Sequence, residues 1–234
     1  MLRRWFQDPA DNLDPQYSEA VSAIGRYREK LGALIDQQTP LCARYTRHDI
    51  WCRGLLVALQ ELEESVNAAE RFSERVERKW VREMSEEERE SYWMHIYFYK
   101  NALIRVFSVL DKLGFLLNEV LRLRTQRVKR KFSYFTVLRQ MRNVHAEPDL
   151  TGQLIQFKDS CQKELARLRD KRNAEIHLVN PEMLDDLLYI DACRRDESYV
   201  EDLGASMAEL RKGFEMVCNT LSAVFVYLSE RNKT

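Results

Sequence analysis

The sequence predicts an all-α fold, a helical bundle of four to five main helices with short additional helices. Three observations carry this. Gly occurs 7 times and Pro 5 times in 234 residues, too few for a turn-rich β architecture. Apolar residues recur at three- and four-residue spacing along most of the chain, as one face of an amphipathic helix requires. No segment alternates with period two for long enough to read as a strand. A hydrophobic share of 45% supplies a core for a chain of this length.

The first helix is expected from Leu13 to Ile35, with Tyr17, Val21, Ile24, Leu31 and Leu34 on one face. Thr39 and Pro40 close it. Asp49 reads as the N-cap of the second helix. That helix carries Cys52, Leu55, Leu59, Leu62, Val66, Ala69, Val76 and Trp80 as a stripe opposite a Glu/Arg-rich face. Ser85 with Glu88 is a capping-box pattern, and the acidic run around it suits a helix N-terminus. The third helix runs from there to about Arg124 through Trp93, Ile96, Leu103, Phe107, Leu110, Gly114, Leu117 and Leu121. Ser133 caps a short helix, "YFTVLRQMRNVH", and Pro148 and Gly152 mark a break. The next helix takes Leu154, Phe157, Cys161, Leu165 and Leu168 inward. It ends soon after Leu178, because Asn180-Pro181 reads as the cap and first residue of a new short helix. The last helix starts near Ser198 or Gly204 and reaches Glu230, with Met207, Leu210, Phe214, Val217, Leu221, Phe225 and Leu228 inward. Residues 1–84 are expected to pack on or extend a helical domain of residues 85–234, the whole forming one compact unit.

Charge excludes some functions. Lys and Arg total 37 and so do Asp and Glu, so any binding of nucleic acid must come from a local patch. Cys42, Cys52, Cys161, Cys193 and Cys218 are odd in number and widely spaced, which argues against a disulfide framework or zinc site and for a reducing cytoplasm. The start, "MLRRWFQDPAD", does not read as a secretory signal. The most apolar stretch carries Arg105, Asp111, Lys112 and Asn118, so no membrane span is expected. His48, His95, His145 and His177 show no metal-ligand spacing, and there is no Gly-rich phosphate loop or serine nucleophile motif; no metal or cofactor is expected.

What remains is "DKRNAEIHLVNP". Asn173 and His177 are four apart and share a helix face. Arg172 stands about 140° around an ideal helix from His177, and the end of the helix there gives room for both to reach one phosphate. A helix C-terminus favours a protonated imidazole, and a guanidinium beside it is suited to phosphate. The bland reading is a charged helix end satisfying its own dipole. A rival copy, Arg139, Arg142 and His145, lies before Pro148; its bland reading is a histidine at a loop edge. Two features rank as supporting. Asp111 and Asn118 run beside the apolar stripe, and Asp111 is expected to pair with a basic residue and help to position the Arg172 region, or to be a structural ion pair or cap. Arg122, Arg124, Arg127, Lys129, Arg130 and Lys131 fall within ten residues and could track an RNA backbone, or merely end a helix.

An all-α bundle with "KRNAEIH" at the end of a late helix resembles the HEPN superfamily, the higher eukaryote and prokaryote nucleotide-binding domains. "YFYKNALIRVFSVLDKLGFLLNEVL" resembles a bacterial branch of that superfamily. The resemblance covers roughly residues 85–230. It implies a metal-independent endoribonuclease in which the ribose 2′-OH attacks the adjacent phosphate. His177 would then be general acid or base, Arg172 would stabilise charge on the phosphate, and Asn173 would orient the histidine or hold the phosphate. It implies a homodimer with a composite site, single-stranded RNA as substrate, and a toxin or antiviral setting with an antitoxin or regulator that the sequence does not identify. The alternative it carries is a non-catalytic HEPN-like nucleic-acid or nucleotide-binding or scaffold protein.

Overall fold

The computed structural model describes residues 14–38, 40–177, 199–200 and 202–231, with His177 described by its backbone alone. Seven α-helices occur among them: α1 Pro15–Asp36, α2 Cys42–Ser73, α3 Glu86–Val120, α4 Tyr134–Asn143, α5 Pro148–Ser160, α6 Gln162–His177 and α7 Leu203–Glu230. Short 3₁₀ turns lie at Val81–Glu83 and Thr125–Arg127. The described residues contain no strand, only an isolated bridge between Trp80 and Tyr199. The fold is an all-α helical bundle.

Local chemistry sets the helix ends. Asp14 opens α1, its Oδ1 accepting from the N–H groups of Gln16 (2.9 Å) and Tyr17 (3.2 Å), with Pro15 in the first turn where its missing N–H costs nothing. The second helix begins at Cys42, earlier than the expected cap. The Leu41 carbonyl already takes the N–H groups of Arg44 and Tyr45, so the chain is helical before Asp49 is reached. Asp49 instead accepts from Arg28 Nε and Arg53 Nε, both at 2.8 Å. α2 stops at Ser73, so Val76 and Trp80 lie beyond it; the Trp80 ring meets Tyr199 edge-on at 5.2 Å. Ser85 caps α3 by accepting from Glu88 N at 3.1 Å. The Glu88 carboxylate accepts from Glu77 N and Arg78 N, both at 2.7 Å, and so holds the connection that precedes α3.

α3 ends at Val120, short of the expected Arg124. Asn118 Oδ1 accepts from Thr125 N at 2.9 Å, and Arg122 and Arg124 take left-handed backbone angles, φ 55° and 53°. Ser133 forms a capping box with Thr136 at the start of α4, as expected. Pro148 and Gly152 do not break the chain. Pro148 occupies the first turn of α5 and Gly152 lies inside it. The single helix expected through Cys161 is two, because Cys161 leaves helical geometry at φ −122°, ψ 30°. Leu178, Asn180, Pro181, Cys193 and Ser198 lie outside the described residues.

The chain divides into two compact units, neither continuous in sequence. The first comprises Glu61–Arg105 and the described part of Gln162–Phe214. Its core joins Val81, Met84, Tyr92, Ile96 and Val200, with Phe72 stacked on Phe98 at 5.9 Å. The second unit draws on the described parts of Asp8–Gln60, Val106–Cys161 and Glu215–Thr234. Ile24, Leu55, Leu110, Tyr134, Leu154 and Phe225 are among its fully buried side chains. There Asp111 Oδ1 accepts from Tyr134 N at 2.9 Å, tying α3 to the first residue of α4.

Candidate functional site on helix α6

Helix α6 lies in the first unit and is fixed along one edge. Leu165 and Leu168 are buried. Lys171, one turn on, donates to Ser206 Oγ at 2.8 Å and to the Tyr99 hydroxyl at 3.5 Å, and lies 3.9 Å from Glu209. Arg167 pairs with Glu209 at 2.6 Å, Lys212 with Glu164 at 2.7 Å and Lys100 with Glu175 at 3.3 Å. Lys171 and Glu175 are four apart and therefore share the inward edge.

This register decides where the motif residues stand. Asn173 follows Lys171 by two positions, about 200° around the helix, and is exposed. Arg172, between them, is half-buried, and Ile176 is 49% exposed. His177 is the last described residue of α6, one turn after Asn173; its side chain lies outside the described residues. The exposed Asn173 amide offers two donors and an acceptor, and the Arg172 guanidinium carries a planar donor fork suited to phosphate.

The supporting residues belong to the second unit. Asp111 bonds to the α4 N-terminus, and Asn118 organises the turn after α3, its Nδ2 donating to Gln126 Oε1 at 3.1 Å. Both therefore have local structural work. The six basic residues from Arg122 to Lys131 are all exposed and occupy that turn and the segment after it, rather than the end of α3. In the rival copy, Arg139, Arg142 and His145 are all exposed; His145 lies just past α4 at φ 51°, where Ala146 N closes back on the Met141 carbonyl.

His48 and His95 are buried. Burial lowers the pKa of His95, outweighing the opposing hydrogen bond between Nδ1 and the Ala69 carbonyl at 2.8 Å. Among the described residues no group of three or more His, Cys, Asp or Glu side chains is arranged to hold a metal ion, and no helix is long and apolar enough to cross a membrane.

Sequence reading did not single out Lys171 and Glu175, although their four-residue spacing and opposite charges were visible. Their partners Tyr99, Lys100 and Ser206 are far away in sequence, so only the fold identifies the inward edge. No curated protein and no solved structure matches the chain. The family model for the Cthe2314-like HEPN domain matches residues 51–229, which takes in most of α2 and every later described helix. The chain belongs to the Cthe2314-like HEPN family.

Proposed function

We propose that the chain is a metal-independent endoribonuclease of the HEPN type, acting as a homodimer in which α6 of each copy supplies Arg172, Asn173 and His177. The observation that carries the reading is the register of α6 within a HEPN fold. Leu168, Lys171 and Glu175 fasten its inner edge, and the exposed Asn173 is one turn before His177. In the reaction a base takes the 2′-OH proton, the 2′-oxygen bonds to phosphorus, and the bond from phosphorus to the 5′-oxygen breaks as that oxygen is protonated. The products are a 2′,3′-cyclic phosphate and a 5′-hydroxyl. His177 moves the protons, Arg172 stabilises charge on the phosphate oxygens, and Asn173 orients the imidazole or the phosphate. The exposed cations from Arg122 to Lys131 add sequence-independent attraction for the RNA backbone, which weakens with salt.

The test is cleavage of single-stranded RNA by the full chain in EDTA, with the ends identified chemically. Arg172→Ala and His177→Ala each abolish the cut and leave the melting temperature close to that of the parent. Cleavage that survives both substitutions refutes the reading. Saturable RNA binding without cleavage selects the non-catalytic role instead.

A further inference from the structure

A cavity of about 450 Å³ opens within the second unit, among residues of α1, α2, the end of α3 and the end of α7. Lys30, Arg44, His48, Arg122 and Arg231 contribute to its lining, and no carboxylate does. Lys30 Nζ donates to the carbonyls of Leu228 (3.2 Å), Ser229 (2.8 Å) and Arg231 (2.5 Å). Arg44 donates to the Glu119 carbonyl at 3.3 Å. Among the described residues neither of these, nor Arg122, meets a carboxylate. Arg231 pairs with Glu147 at 3.2 Å, while its buried Nε has no hydrogen-bond partner. The nearby Glu119 carboxylate is taken by Arg47 at 3.1 Å.

Cations gathered in a partly dry site with only the Glu147 carboxylate, on Arg231, as counter-charge repel one another. Lys30 carries the mark of this, its pKa lowered first by burial and then by Arg231. His48 is 3% exposed and its Nε2 has no hydrogen-bond partner. A buried orphan atom of this kind calls for a missing partner. Burial, then Arg44, holds the His48 ring neutral, with Arg47 adding to this and Glu119 opposing it. The rest of the lining is apolar or aromatic, including Leu31, Leu34, Leu228 and Tyr45.

We propose that this cavity binds a small phosphomonoester. Its phosphate lies between Arg44 and Arg122, with the Lys30 charge near by, and its organic part lies along Leu31 and Leu228. Guanidinium donors match phosphate oxygens, and a ligand there would also offer the buried His48 Nε2 a partner. The site stands apart from the motif on α6, since none of its residues belongs to that helix, and it shares only Arg122 with the exposed basic run.

The experiment is calorimetric titration of the full chain with phenyl phosphate, inorganic phosphate and phenol. Phenyl phosphate saturates one site per chain and binds more tightly than inorganic phosphate, and phenol does not bind. Arg44→Gln and Arg122→Gln each weaken phenyl phosphate by about tenfold or more, the usual worth of a charge-assisted contact, with little change in melting temperature. Adenosine 5′-monophosphate and a 5′-phosphorylated tetranucleotide then compete for the site. The stronger competitor tells whether the phosphate belongs to a free small molecule or to a nucleic-acid end. The proposal is overturned if phenyl phosphate shows no saturable binding at millimolar concentration, if phenol binds as well, or if both substitutions leave binding unchanged.

Discussion

Substituting Gly114 by alanine tests the close approach of α3 to α4. A Cβ added there would stand 2.9 Å from Tyr134 Cα and 3.2 Å from Tyr134 N, both backbone atoms that no rotamer change can move. Carbon atoms prefer about 3.5–4.0 Å, so the start of α4 must retreat by more than about half an ångström. That movement also stretches the 2.9 Å bond from Tyr134 N to Asp111. Overpacking of this kind costs about 1–3 kcal/mol, and weakening a bond to a carboxylate adds about 1 kcal/mol. Alanine regains about 1 kcal/mol of helix propensity, leaving a net loss of about 2 kcal/mol. In a chain of this size that lowers the melting temperature by about 4–8 °C. Gly54 is the control, exposed within α2 with nothing within 4 Å of an added Cβ. Gly54→Ala stabilises by up to about 1 kcal/mol. Urea midpoints for the three proteins decide the matter. If Gly114→Ala gains as much stability as Gly54→Ala, the close approach is not a constraint and the reasoning fails.

Two further outcomes follow from the caps and the buried histidines. Ser85→Ala removes the oxygen that accepts from Glu88 N at 3.1 Å and costs about 1 kcal/mol of stability, read as a lower urea midpoint; an unchanged midpoint denies the cap its role. His48 and His95 both have lowered pKa values, His48 falling from 6.5 to about 4. As pH falls below 6.5 the unfolded chain takes up protons that the folded chain refuses, so stability declines toward pH 4, by an amount on the order of 3 kcal/mol for His48. A urea midpoint that is level between about pH 7 and pH 5 would show that these rings take up protons as readily in the folded chain as in the unfolded one.

The helices were legible because their information is local. The stripe from Trp93 to Leu117 and the caps at Ser85 and Ser133 need only neighbouring residues to be read. Errors arose where a residue type serves two purposes. Asp49 looks like a cap, but a carboxylate inside a helix can equally receive a guanidinium from another, and Arg28 does that from 21 positions away. Pro148 looks like a break, although a proline in the first turn loses no hydrogen bond. The motif on α6 could be read from spacing alone, while the exposure of Asn173 follows from the hold of Tyr99 and Ser206 on Lys171. The cationic cavity draws its lining from four separate stretches of chain, so no window of sequence contains it.

Helix α6 keeps only Leu165 and Leu168 fully buried among its described side chains, and much of its remaining hold is ionic, through Glu164, Arg167, Lys171 and Glu175. Pairs of that kind are worth at most about 1 kcal/mol each when exposed, and at molar salt the screening length shrinks to about 3 Å. Ionic strength thus acts selectively on this element, since α7 rests on an apolar stripe that salt does not weaken. In hydrogen exchange, amides of α6 open faster as salt rises while those of α7 keep their protection. Salt becomes a reversible handle on the helix that carries Arg172 and Asn173, one that leaves every residue of the chain in place.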